Sequence, residues 1–302
     1  MAGLVLGFQC ALSPATEMPV PAIAGGGFSA LRQNLLAREP QIDLFSERGP
    51  FEVAQKTVEL RLTASERVSA DAYLPSTTDR SPLVIFLHGH DSSNKAHARQ
   101  AAHVASWGIH ALSVQLHPEG PWDANGRTLA RIVRVLAASP NTLDKRVDPR
   151  AIVLVGHAFG AYAVTVALAA GAPVIGAILL DPAAPGSDLR DVLKRVRKPV
   201  LVLGADERIA VPRQRDYFFE WIAGAVAEVS IRGAVHEDAQ YPSETAVKTG
   251  VDPDVTEALQ IAFTGALTAG AFSVAATGTF DYAWASLRSA LDEGRFFHPK
   301  VK

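Results

Sequence analysis

Between Ile152 and Ala163 the chain passes from the apolar run Ile152 to Val155 through Gly156-His157-Ala158-Phe159-Gly160 into an alanine-rich stretch. A short continuous apolar run bounded by glycine reads as a buried strand, and the stretch after it as a helix. Joining the two directly requires a sharp turn, which has room only for small residues two positions either side of its apex. Gly156 and Gly160 meet that requirement. The apex itself is Ala158, whose side chain offers no atom that could attack a substrate.

The surrounding pattern fixes the fold class. Val58 to Leu62 and Val68 to Tyr73 alternate with period two and read as an antiparallel pair. Beyond them come Leu83–Leu87, Ala111–Val114, Ala151–Val155, Val174–Leu180, Pro199–Leu203 and Ala227–Ile231. Such runs mark strands covered on both faces, hence a parallel sheet. Helical stretches separate them at Ala96–Trp107, Leu129–Ala138, Tyr162–Ala170 and Arg213–Ile222. The expectation is an α/β fold, a doubly wound and mostly parallel sheet with an antiparallel N-terminal strand pair. Residues 51–302 read as one domain, with 251–302 a helical tail started by Asp252-Pro253. Residues 1–50, rich in Gly, Pro and Ala with Gly25-Gly26-Gly27 inside them, read as an N-terminal arm.

Length and composition agree with a single large α/β unit. The 302 residues are 48% hydrophobic and 20% charged, enough for a sizeable core. A net charge of −2 supplies no cationic excess for a phosphate backbone, so nucleic acid is not expected as a partner. The single cysteine, Cys10, excludes an internal disulfide and a cysteine-based zinc cluster. Met1 to Leu12 is apolar and precedes Ser13-Pro14-Ala15-Thr16, like the remnant of an export signal. The basic start of such a signal is missing, because the first Lys or Arg is Arg32. No later apolar run is expected to reach the roughly 18 residues of a membrane span; Ala258 to Thr277 comes nearest.

In a parallel sheet, ligands bind beyond the carboxyl ends of the strands. After Leu87 comes His88-Gly89-His90-Asp91, where Gly89 lets the backbone turn and present the His90 N–H. The amide after the apex is that of Phe159. After Leu180 comes Asp181-Pro182, and after Leu203 comes Gly204-Ala205-Asp206-Glu207-Arg208, so each loop offers a carboxylate. After the last expected strand comes His236. A rival chemistry is a metal held by His88 and His90, with His117 and His157 nearby, although no set here has a recognised ligand spacing. His298 follows no strand of this series and reads as a surface residue.

Taken together, these motifs resemble the α/β-hydrolase superfamily over about residues 50–245. The G-x-S-x-G elbow of that superfamily is matched at both glycines and lacks only its serine. The chlorophyllase and platelet-activating-factor acetylhydrolase-like group, and the cutinase-like polyester hydrolases, are the most similar. Gly49-Pro50-Phe51-Glu52-Val53 resembles the start of their first strand. The resemblance implies a serine carboxylic-ester hydrolase without a cofactor, with Ala158 at the nucleophile's position and His236 as base. His90 and Phe159 would supply the oxyanion-hole amides. The cutinase-like pattern would put the acid where this chain has Arg208; the acetylhydrolase-like pattern puts it at Asp181. Asp181 also precedes Pro182 and lies 23 residues after position 158, with His236 at 78. The acid role is therefore carried to Asp181, with Asp206 as the alternative. Ala158 reads either as a replacement that traps substrate or as the mark of a natural non-catalytic binding protein. The implied substrate is a small-molecule or polymeric ester. Trp122 and Tyr241 are candidates for an aromatic substrate wall, and the C-terminal helices for a cap over the cleft or a homodimer face.

Overall fold

The computed structural model describes residues 26–186, 188–206, 214–224, 226–242 and 252–302. The apolar segment Met1–Leu12, Cys10, Gly25, and Glu207 to Pro212 lie outside these residues.

Nine strands form one sheet in the order β1-β2-β4-β3-β5-β6-β7-β8-β9. The antiparallel pair is β1 (Val53–Arg61) and β2 (Arg67–Pro75), and β2 also runs antiparallel to β4 (His110–Val114). From β4 through β3 (Ser81–Leu87), β5 (Val147–His157), β6 (Gly176–Leu180), β7 (Val200–Gly204) and β8 (Val226–Ile231) every pairing is parallel. Their apolar runs are buried from end to end, as strands covered on both faces must be.

Helices cover the two faces. On one lie α1 (Phe28–Leu36), α2 (Ile42–Ser46), α3 (Ala98–Ser106), α8 (Pro253–Thr277), α9 (Asp281–Ser286) and α10 (Arg288–Asp292). On the other lie α4 (Trp122–Ala138), α5 (Phe159–Ala169), α6 (Leu189–Leu193) and α7 (Gln214–Trp221). The first two helices fall inside the stretch read as an arm, yet Phe28, Leu31, Leu35, Ile42 and Phe45 are buried in the core. Phe45 packs between Trp107 and Phe272 with ring centroids 4.9 and 5.6 Å away, contacts that add about 1 kcal/mol each beyond area burial.

Two features of the C-terminal region differ from expectation. α8 is long and apolar enough to cross a membrane, a length the sequence reading gave to no segment. From Phe263 to Val274 its residues are buried, most of them in the core beneath the sheet. Further on, the tail ends in a strand, β9 (Phe296–Val301), antiparallel to β8.

The chain winds from β3 to β4 in one direction, then crosses back over β3 to β5 and continues the other way. A crevice opens at such a reversal, beyond the carboxyl ends of the two strands. The loop after β3 and the turn after β5 meet there: a Cβ added to Gly89 would sit 3.1 Å from the Cβ of Ala158.

Candidate active site

Ala158 links β5 to α5 with φ 51° and ψ −122°. That region suits glycine, and an alanine there stores on the order of 1–3 kcal/mol of strain. The surroundings hold it in place. Ala158 N–H donates to the Leu180 carbonyl (3.1 Å), and its own carbonyl accepts from Ala161 N–H (3.0 Å) and Ala183 N–H (3.2 Å). A Cβ on Gly160 would strike the His88 and Leu87 carbonyls, so α5 approaches the end of β3 as closely as backbone can.

His236 opens a 3-10 turn (His236–Ala239) in the loop after β8. Its Nδ1 lies 2.6 Å from Asp181 Oδ2. Asp181 follows β6 with φ 36°, and only 2% of it is exposed. Its other oxygen, Oδ1, accepts from Arg215 Nη1 (2.8 Å) and from Ala205 N–H (3.0 Å). Burial pushes the Asp181 carboxyl up. The His236 hydrogen bond and charge, the Arg215 charge and the Ala205 amide outweigh it and hold the group below the usual carboxylate range. Asp206 turns elsewhere: its exposed carboxylate accepts from Gly233 N–H (2.7 Å) and braces the loop that carries His236.

His157 precedes the apex and packs its ring against that of His236. Its ring centroid is 4.4 Å from that of His236. It donates from Nε2 to the His236 carbonyl (3.1 Å) and accepts at Nδ1 from Gln240 (2.6 Å). Burial drives this imidazole well below its ordinary value, and the neighbouring His236 and His97 add to the effect. It is therefore a neutral ring bonded at both nitrogens beneath the His236 turn, a role its place inside the turn motif does not announce.

Phe159 is the first residue of α5, where backbone amides lack intrahelical acceptors. Its ring lies 5.8 Å from Trp122 and 5.7 Å from His90. The exposed His90 side chain pairs with Asp91 (3.3 Å). Buried His88 donates from Nδ1 to the Gly89 carbonyl (2.8 Å) and accepts at Nε2 from Leu116 N–H (3.3 Å). Among the described residues no group of three or more His, Cys, Asp or Glu is arranged to hold a metal. Trp122 begins α4 and is buried, with its ring against those of Phe159 and His88. Tyr241 lies at the far end of the His236 turn, bonded to Glu257 and under Arg99. A cleft of about 650 Å³ on the α4–α5–α6 side, lined by Asp123, Arg127 and Tyr162 among others, does not reach Ala158 or His236.

Sequence reasoning missed Arg215, Gln240 and the site position of His157. Arg215 sits between two other polar residues, Gln214 and Asp216, so nothing in its spacing marks it as the buried one.

A parallel sheet with reversed winding, a strained strand–helix turn and a carboxylate–imidazole pair from two later strand ends together define a hydrolase-type fold. The family model for the alpha/beta hydrolase family matches residues 84–296, and the chain belongs to that family. No curated protein matches the chain.

Proposed function

We infer that this is the scaffold of a serine carboxylic-ester hydrolase in which Ala158 occupies the place of the nucleophile. The observation that carries this reading is the Asp181–His236 hydrogen bond, brought to within ring contact of the turn residue His157. Such a pair has one chemical use beside an elbow. Asp181 fixes the imidazole with its proton on Nδ1, which leaves Nε2 free to take a proton from an attacking hydroxyl. That proton is then given to the departing alkoxide as the tetrahedral adduct collapses to an acyl-enzyme, and water repeats the sequence. The amides of His90 and Phe159 would receive the oxyanion. Phe159, backed by Trp122, favours an ester with an apolar or aromatic acyl group.

With alanine at the apex the attacking oxygen is missing, and the chain is expected to bind an ester without forming an acyl-enzyme. That absence equally favours a second reading, a ligand-binding member of the family that never performs catalysis. The substitution Ala158→Ser separates the two. On p-nitrophenyl acetate and butyrate it should raise kcat by up to about 10⁶-fold, the size of the loss when a triad serine is removed. Turnover at background on both short and long acyl esters favours the binding protein.

A further inference from the structure

Behind Asp181 lies a row of charges, buried at Arg215 and Glu228, that the acyl-transfer reading does not use. Arg215, on α7, is 4% exposed. Its Nη1 reaches Asp181 Oδ1 (2.8 Å) and the Ala205 carbonyl (2.7 Å), and its Nη2 reaches Ser230 Oγ (2.9 Å). Its Nε lies 3.4 Å from Oε1 of Glu228, which is 1% exposed. Glu228 Oε2 in turn accepts from Lys300 Nζ on β9 (3.1 Å), and the same ammonium holds Asp216 (3.1 Å). The signs alternate from Asp181 to Asp216. Gly204 is part of the construction, because a Cβ there would collide with the guanidinium.

A buried ion pair is a poor source of net stability, since desolvation offsets most of its attraction. A planar fork that engages one carboxylate oxygen and leaves the other for an imidazole is instead a directional device. The geometry points to Arg215 as a positioning residue for the Asp181–His236 pair: it dictates which oxygen meets His236, and Glu228 with Lys300 balances its charge. This rests on the reading of His236 as the base, but not on the presence of a nucleophile. The other ionisable groups around the His236 turn include His157 from β5 with His97 behind it, Glu237 and Asp238 on the turn, Asp206 bonded to Gly233 in the loop before it, Tyr241 after it, and Arg99 of α3 paired with Glu257 of α8.

Removing the guanidinium leaves the Asp181 charge uncompensated on that side and its Oδ1 held by the Ala205 amide alone. Removing the Glu228 charge leaves Arg215 unbalanced against it. The two changes act on His236 with opposite signs, which general loosening of the structure would not do. The first test uses the full chain with Ala158 in place and ¹⁵N-labelled histidine, and follows the low-field proton of His236 Nδ1–H. Arg215→Met should abolish or displace that signal, Arg215→Lys should partly retain it, and Glu228→Gln should displace it while the fold persists. An unchanged signal in folded Glu228→Gln and Arg215→Lys overturns the proposal, even if Arg215→Met fails to fold. The second test adds Ala158→Ser and reads the acidic limb of kcat/KM. That limb should move alkaline by about one pH unit in Arg215→Met and acid in Glu228→Gln, the effect of one charge at this range in a partly screened interior. Should Ala158→Ser prove inactive while the proton signal responds, the positioning role stands and acyl transfer falls. If the enzyme is active and neither readout moves, the positioning role falls and acyl transfer stands.

Discussion

Ala158 holds a backbone conformation that its side chain disfavours, and its neighbours enforce it through three backbone hydrogen bonds. Ala158→Gly should therefore stabilise the fold. Relief of strain exceeds the extra chain entropy of glycine, for a net gain of about 1 kcal/mol. A thermal melt would show a rise of about 2 °C; a fall would mean the turn is not strained. Two further substitutions probe the carboxylates in the Ala158→Ser background. Asp181→Asn should lower kcat by about 10⁴-fold through loss of the correct tautomer. Asp206→Asn should leave kcat close to the parent value, because Asp206 meets a backbone amide and not the imidazole. Kinetics with the reverse ranking would exchange the two roles. At this scale the sequence showed residues whose position after a strand betrays them: Asp181, Asp206 and His236. It hid Arg215 and Glu228. Arginine in a helix ordinarily faces water, and a lone glutamate inside an apolar strand run gives no sign of the buried partner it meets.

Among elements, the β5–α5 unit was the most legible, because close approach of backbone demands glycine and glycine is visible. Gly160→Ala should cost about 3 kcal/mol or prevent folding, since the added methyl would meet the carbonyls of Leu87 and His88 rather than a flexible side chain. Urea denaturation of the soluble variant measures it; a loss under 1 kcal/mol would show that α5 can slide. The strands were legible as apolar runs because both of their faces are covered. β9 was not. It holds Pro299 and Lys300, half of its residues are exposed, and it follows a series of helices. Its role is to close the edge of β8, with Lys302 N–H donating to the Val226 carbonyl (2.9 Å). α1 and α2 were likewise obscured, by a Gly- and Pro-rich context whose buried positions only the tertiary fold reveals.

Over the whole molecule, neutral histidines dominate the response to acid. Burial lowers His97 and His110 from 6.5 to about 4, and it also lowers His88, His103 and His157. As pH falls from 6.5 towards 4 the unfolded chain protonates at positions 97 and 110 while native His97 and His110 stay neutral, and His88, His103 and His157 act in the same direction. Stability from these groups is thus complete above 6.5 and declines below it, by up to about 1.4 kcal/mol per pH unit for each of His97 and His110. Asp181, also held low, adds its loss only in the range below the ordinary carboxylate value. Melting temperature should drop steeply between pH 6.5 and 5, where carboxylates alone would leave it flat. His97→Gln should flatten that slope, and an unaltered slope would remove His97 from the account.

The row of ion pairs that steadies Asp181 spans residues from 181 to 300. During synthesis the elbow, the carboxylate and the imidazole all leave the ribosome well before Lys300 does. A nascent chain can thus fold most of its sheet and still lack the counter-ion that settles Glu228. The site acquires its final order late, when the closing strand docks.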